Sequence, residues 1–145
     1  MKIGRNLAFI YPLLALYSLK SSELTISPTA YMALNYFKFS ESEIVGCLFG
    51  TEDNNAYHIM TILPDYSAKS KRTSVIPTKP CPSTAMGRIH NHAEGEGCWY
   101  KFPETSVETS DGVSFRLGGY SIDIIVCKDK LVWIDKTGIE REMLL

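Results

Sequence analysis

Two histidines separated by one residue, His90-Asn91-His92, close the short run Met86-Gly87-Arg88-Ile89. Successive side chains of a strand point to opposite faces, so residues two apart share a face. On a strand, His90 and His92 therefore project together, at a separation that suits two nitrogen ligands on one metal. The chain has three histidines and two of them are here. That concentration makes a metal site the first chemistry to consider. The bland alternative is a solvated polar pair at a strand end, because a His-x-His match is short.

Two imidazoles do not complete a catalytic zinc site, which takes three protein ligands and leaves a position for water. Asp111 is the best third ligand. It follows an irregular stretch, 93–110, and precedes a predicted short helix near Gly112 to Leu117, so a helix entry can hold it. Ser110-Asp111 before a helix is also an ordinary cap. Glu94, Glu96, Glu104 and Glu108 are other carboxylates within reach along the chain. A hydrolytic zinc site also needs a general base for its water. Glu43 is the candidate, the one charged residue at the mouth of the apolar run Ile44–Phe49. Partial burial there raises a carboxyl pKa toward a useful range. The plain alternative is a solvated strand-end glutamate.

The elements that must position these residues follow from the pattern. Ser27-Pro28 is a helix start, with an N-cap serine and proline at the first helical position. Ala30, Tyr31, Leu34 and Phe37 then recur at helical spacing, which predicts a helix over 28–38. Glu43 to Gly50 reads as a central strand buried on both faces. Thr51 to Asn55 is a turn rich in Asp and Asn, and Tyr57 to Leu63 completes a hairpin. Residues 64–84 form a long loop with four prolines. Met86 to Asn91 is the third strand. Ser121 to Cys127 and Leu131 to Asp135 make a closing hairpin, and Ile139 to Leu144 adds an edge strand. Long loops in compact domains tend to be functional, and both of these flank the histidine pair.

The 145 residues suffice for one domain with a sizeable core. A formal net charge of -1 gives no basic footprint for nucleic acid. Lys69, Lys71 and Arg72 form a small basic cluster of the kind usual in solvated loops. Cys47 and Cys127 fall in apolar runs and read as buried small hydrophobes. Cys81 and Cys98 fall in loop-like segments, where a Cys81–Cys98 disulfide is open. With no C-x-x-C pair, a cysteine-rich structural zinc site is not expected. Residues 1–22 stand apart from a domain over 23–145. Lys2 and Arg5 precede an apolar run, Leu7 to Leu19, which reads as a packed helix or as a signal- or anchor-like segment. The run is short for a bilayer span. The expectation is a cytoplasmic protein, with membrane association or export through this segment as the alternative.

These pieces resemble a known family. Glu43-Ile-Val-Gly46-Cys-Leu-Phe-Gly50 is similar to the E-x-x-G strand of the JAMM zinc metallopeptidases, also called JAB or MPN domains, of the prokaryotic type. His90-Asn-His92 resembles their H-x-H, and Thr109-Ser110-Asp111 falls where they place a serine and an aspartate. The resemblance covers about residues 24–135. It implies a single α/β domain with a mixed, curved sheet flanked by helices, of cytidine-deaminase-like architecture. It implies zinc held by His90, His92 and Asp111, with water as fourth ligand. Glu43 then takes a proton from that water and later gives one to the leaving amine, and a hydroxyl such as Ser110 stabilises the oxyanion. The implied activity is hydrolysis of a peptide or isopeptide bond. The implied partner is a protein or peptide substrate, with ubiquitin-like or sulfur-carrier conjugates as the suggested class. Trp99 and Tyr100, in an insertion before Asp111, are candidate substrate contacts, or else pack as a small core of their own.

The chain departs from that family's pattern in three places. Ala93 stands where proline is usual after the second histidine. Glu108 stands where the serine usually lies, which leaves Ser110, Thr109 or Ser106 as oxyanion donor, or none. The segment from His92 to Asp111 is longer than usual, and Thr105-x-x-Glu108 is a rival register. Two other classes compete. His92-Ala93-Glu94 matches the H-x-E of zinc deaminases, but no P-C-x-x-C follows. A metal-free scaffold that holds partner proteins is the non-enzymatic alternative.

Overall fold

The computed structural model describes residues 22–65, 69–70, 75–76, 79–92 and 97–145. The apolar run Leu7–Leu19, Lys71 and Arg72, Ala93, Glu94 and Glu96 lie outside the described residues. The chain begins with β1 (Glu23–Ile26), α1 (Pro28–Phe39), β2 (Val45–Asp53) and β3 (Ala56–Pro64). Two short strands follow, β4 (Lys69–Ser70) and β5 (Val75–Ile76), then β6 (Gly87–Asn91) and α2 (Ser110–Gly118). The chain closes with β7 (Ile122–Val126), β8 (Lys130–Asp135) and β9 (Glu140–Leu144). The result is a mixed α/β fold with a curled seven-stranded sheet in the order β1-β3-β2-β6-β7-β8-β9.

The expected helix over 28–38 is α1. Ser27 Oγ accepts from the Ala30 amide, and Ala30, Leu34 and Phe37 are its buried residues. The expected turn at 51–55 shrinks to two residues. Asn54 and Asn55 both adopt positive φ (49° and 66°), which is what a tight two-residue hairpin turn requires. The flanking strands therefore run on to Asp53 and start at Ala56. β1 was not expected from the pattern. It is four residues long and pairs parallel to β3 at the sheet edge.

The expectations for cysteine need correction. Cys47 is bonded to Cys81 and Cys98 to Cys127, with Cα–Cα separations of 5.8 and 6.4 Å. Cys47 and Cys127 are thus half of two disulfides rather than lone apolar residues, and the open Cys81–Cys98 pairing does not occur. Each loop cysteine returns beside a strand rather than beside the other loop.

β6 and β7 are parallel neighbours, with His90 beside Ile125 and Asn91 beside Val126. A parallel pair needs a long crossover, and here it carries α2. The sheet buries two clusters. α1 covers one face over Leu48, Ile59, Ile89, Ile124 and Trp133. The other face holds Cys98, Tyr100, Ile125, Val132 and Ile134, with Phe115 of α2 packed against them. Every residue of β7 is buried, because its alternate side chains serve the two clusters. No helix among the described residues is long and apolar enough to cross a membrane.

Phe37 is fully buried where α1 meets β2. Phe37→Ala is expected to cost about 3–5 kcal/mol of unfolding free energy, the usual range for an emptied aromatic site. Urea denaturation measures it, as a midpoint lowered by more than ~1 M.

Candidate metal centre

His90 is the fourth residue of β6 and His92 the first beyond its end, so both imidazoles leave the same face. Their Nε2 atoms lie 3.2 Å apart. Asp111 sits in the first turn of α2, whose N-cap is Thr109. Its Oδ1 is 3.2 Å from His90 Nε2 and its Oδ2 is 2.9 Å from His92 Nε2. The three side chains form the one cluster of His, Cys, Asp or Glu among the described residues whose donor atoms converge in this way. Ligand atoms about 2.0–2.2 Å from a tetrahedral zinc are about 3.3–3.6 Å apart. The observed separations are close to that edge, so the donor set fits one zinc ion with little movement.

The tautomer also fits. His92 Nδ1–H donates to the Gly97 carbonyl. With Nδ1 so engaged, Nε2 is the nitrogen that faces Asp111 and would ligate a metal, which is how metal-ligating histidines are usually oriented. The His92 amide donates to Val126 O at 2.9 Å, which ties the strand end to β7.

Electrostatics couple the three groups. Burial alone would raise Asp111, but hydrogen bonds from His90 and His92 outweigh it and hold the carboxyl well below its usual range. Burial would lower His90, yet its hydrogen bond to Asp111 and the charges of Asp111 and Asp123 raise it. A metal ion would therefore compete with protons for one set of donor atoms.

A cleft of ≈ 220 Å³ opens beside the triad. Glu43, Val45 and Arg88 line it with His90, as do Ser110, Asp111 and Ser114 of α2 and Asp123 of β7. Glu43, buried just before β2, reaches this cleft because Asn91 holds the chain around it. Asn91 Oδ1 accepts from the Ile44 amide at 2.6 Å, and its Nδ2 donates to Ser42 O at 3.0 Å. The residue between the two histidines thus clamps the peptides on both sides of Glu43 from the opposite face. Only the strand alternation of β6 hints at that role. Ser114 was also missed. It lies four residues after Ser110, on the same helix face.

The competing assignments separate. Glu108 pairs with Arg116 at 3.0 Å, and Thr105 Oγ1 donates to Phe102 O, so the rival register is not brought to the histidines. Glu104 is exposed at a positive-φ turn (61°). Thr109 Oγ1 accepts from the Gly112 amide and donates to the Trp99 and Tyr100 carbonyls. Ser110, rather than Thr109, is therefore the hydroxyl that lines the cleft; Ser106 does not line it. Trp99 is partly exposed, at 39%. Tyr100 corrects the expectation of a substrate contact. It is fully buried, and its hydroxyl donates to Asp123 at 2.8 Å. A scan of family models finds no match to the chain, and a search of curated proteins finds none.

Two predictions follow from this geometry. Asp111→Ala should lose tight zinc binding while Glu108→Ala keeps it, as read by competition with a chromophoric chelator. The loss should exceed ~100-fold, because even outer partners of a ligand are worth about 10–100-fold. Asp123 supplies the second. Burial pushes its carboxyl from 3.8 up to about 6. A carboxyl raised on folding costs stability progressively as pH climbs from 3.8 to about 6, and the whole cost persists above. Asp123→Asn should therefore stabilise the metal-free protein by up to about 3 kcal/mol at pH 8, with the gain vanishing below pH ~4. Thermal melts across that range measure it.

Proposed function

We propose that this protein is a zinc-dependent hydrolase of the JAMM type that cleaves a peptide or isopeptide bond. One observation carries the reading. His90, His92 and Asp111 converge at ligand spacing in a cleft that Glu43 and Ser110 also line. The glutamate, the histidine pair and the aspartate follow the chain order of the family it resembles, with Ser110 as a displaced hydroxyl.

His90, His92 and Asp111 hold the metal. Zinc, when bound, polarises a carbonyl and brings the pKa of water to about 7. Glu43 takes the proton of the attacking water and returns one to the leaving amine. Asn91 keeps Glu43 at the cleft through its two bonds to the neighbouring peptides. Ser110 donates a hydrogen bond to the developing oxyanion, with Ser114 one turn further on as a second hydroxyl. An extended protein tail, as in a ubiquitin-like conjugate, is the proposed substrate class, and partly exposed Trp99 is its proposed contact. The scaffold alternative is disfavoured by a full donor set, because a metal-free scaffold has no need to keep two imidazoles and a carboxylate together.

Two disulfides favour the exported alternative over a cytoplasmic location, since such bonds persist in oxidising compartments.

The test is Glu43→Gln, which keeps size and hydrogen-bonding reach but removes the base. Zinc content should stay at about one ion per chain. Cleavage of an acyl-lysine isopeptide and of a peptide library, followed by mass spectrometry, should fall at least ~10²-fold. Near-normal turnover in the variant would move the base elsewhere. Wild-type protein without zinc or cleavage would favour the scaffold.

A further inference from the structure

We propose that the Cys98–Cys127 disulfide is a positioning element of the metal centre, which fixes the orientation of His92; the proposal rests on the zinc reading above. The argument is a closed ring of contacts. His92 donates through its amide to Val126 O and through Nδ1 to Gly97 O. Val126 is followed by Cys127, and Gly97 by Cys98. The two cysteines are bonded to one another. Both carbonyls that hold His92 thus belong to the residues immediately before the two bridged cysteines. One carbonyl fixes the strand end, and the other fixes the rotation of the imidazole and its tautomer.

The two carbonyls need the bond to different degrees. Val126 belongs to β7 and is held by the sheet on both sides. Gly97 belongs to no strand or helix, and its carbonyl is the acceptor that selects Nε2 for the metal. Cys98, the next residue, is buried at 7% exposure against Ile125 and Val132. The disulfide carries the rigidity of the sheet across to Gly97 through a single residue. Further along, Tyr100 binds Asp123, and Thr109 binds the Trp99 and Tyr100 carbonyls. Those anchors hold the segment against α2, but they sit farther from the carbonyl.

The second disulfide is an internal control. Cys47–Cys81 spans 34 residues and Cys98–Cys127 spans 29. On a chain-entropy basis, loops of such similar length stabilise the fold by similar amounts. The carbonyls that hold the His92 amide and Nδ1 neighbour Cys127 and Cys98, not Cys47 or Cys81. Loss of either bond is therefore expected to lower thermal stability to a comparable degree, whereas only one of them acts on the metal.

The experiment compares Cys98→Ser/Cys127→Ser with Cys47→Ser/Cys81→Ser in the full chain. Zinc affinity is read by chelator competition, and ligand geometry by the visible absorption of bound cobalt(II). The first pair should bind zinc 10–100-fold more weakly than wild type, the scale of losing an outer hydrogen-bond partner, and shift the cobalt(II) bands. The second pair should keep both properties while melting at a lower temperature. Equal zinc affinity in the two pairs, or an unchanged cobalt(II) spectrum in the first, overturns the proposal. If the serine pair does not fold, Cys98→Ala/Cys127→Val fills the same space with apolar atoms and is read in the same way. If that pair also fails to fold, the bond serves the fold rather than His92, and the proposal falls. Wild-type protein that binds neither metal would instead remove the zinc reading itself.

Discussion

Because β6 and β7 run parallel, the chain between them must cross back over one face of the sheet. The rest of the site depends on that constraint. The histidines sit at the carboxyl end of β6, where an open α/β sheet usually places ligands. The crossover returns α2 to the same face, and its first turn lands Asp111 between the two imidazoles. An antiparallel pairing would have closed with a tight turn, leaving no helix to supply the carboxylate. Gly112 shows how close the return is. A Cβ there would lie 2.2 Å from the Tyr100 carbonyl, so the helix start and the 97–101 segment pack without room for a side chain.

The same crossover decides which hydroxyls are free. Thr109 is consumed as the N-cap and as a donor to the segment beside it. Ser110 and Ser114 are left to line the cleft. On the sheet side, the alternation of β6 divides labour between its faces. His90 points to the cleft, whereas Asn91 points to the opposite side and holds the chain at Glu43. A strand that carried two polar ligands without Asn91 would leave the Ile44 amide and the Ser42 carbonyl without those partners. The Ser42 carbonyl would keep the Ser40 hydroxyl, but the Ile44 amide would need water or another group, because buried backbone polar atoms are costly to leave unbonded.

Much of this was legible in the sequence. The period-2 argument for His90 and His92, the Ser27-Pro28 helix start and the closing hairpin all rest on local rules, and each appears as expected. Asp111 was preferred over Glu108 for its place at a helix entry and by the resemblance, and Asp111 is the one brought to the histidines. What was not legible depends on how distant segments return. β1 is too short to show a period. The disulfide partners are set by where two loops come back, which no spacing reveals. The Gly97 carbonyl that orients His92 is a backbone group with no sequence signature at all. For Tyr100, an insertion of Trp, Tyr and Phe reads equally as a binding patch or as a small core. The Tyr100 hydroxyl found a buried carboxylate, a partner 23 residues away.

The charge balance of the cleft points the same way as its geometry. Glu43, Asp111 and Asp123 bring three carboxyls to one small space, against the single guanidinium of Arg88. Arg88 also stacks near the Tyr120 ring, 5.9 Å from its centroid. Without a further cation, the surplus of negative charge favours a proton held between His90 and Asp111, and Asp123 keeps its own only up to about pH 6. A divalent ion replaces the first directly, since it takes the donor atoms that His90 and His92 now share with Asp111. It also favours the ionised form of Asp123 by proximity, because a bound cation inverts the local pKa logic. The donor atoms that hold the proton between His90 and Asp111 are therefore the ones a metal ion would take.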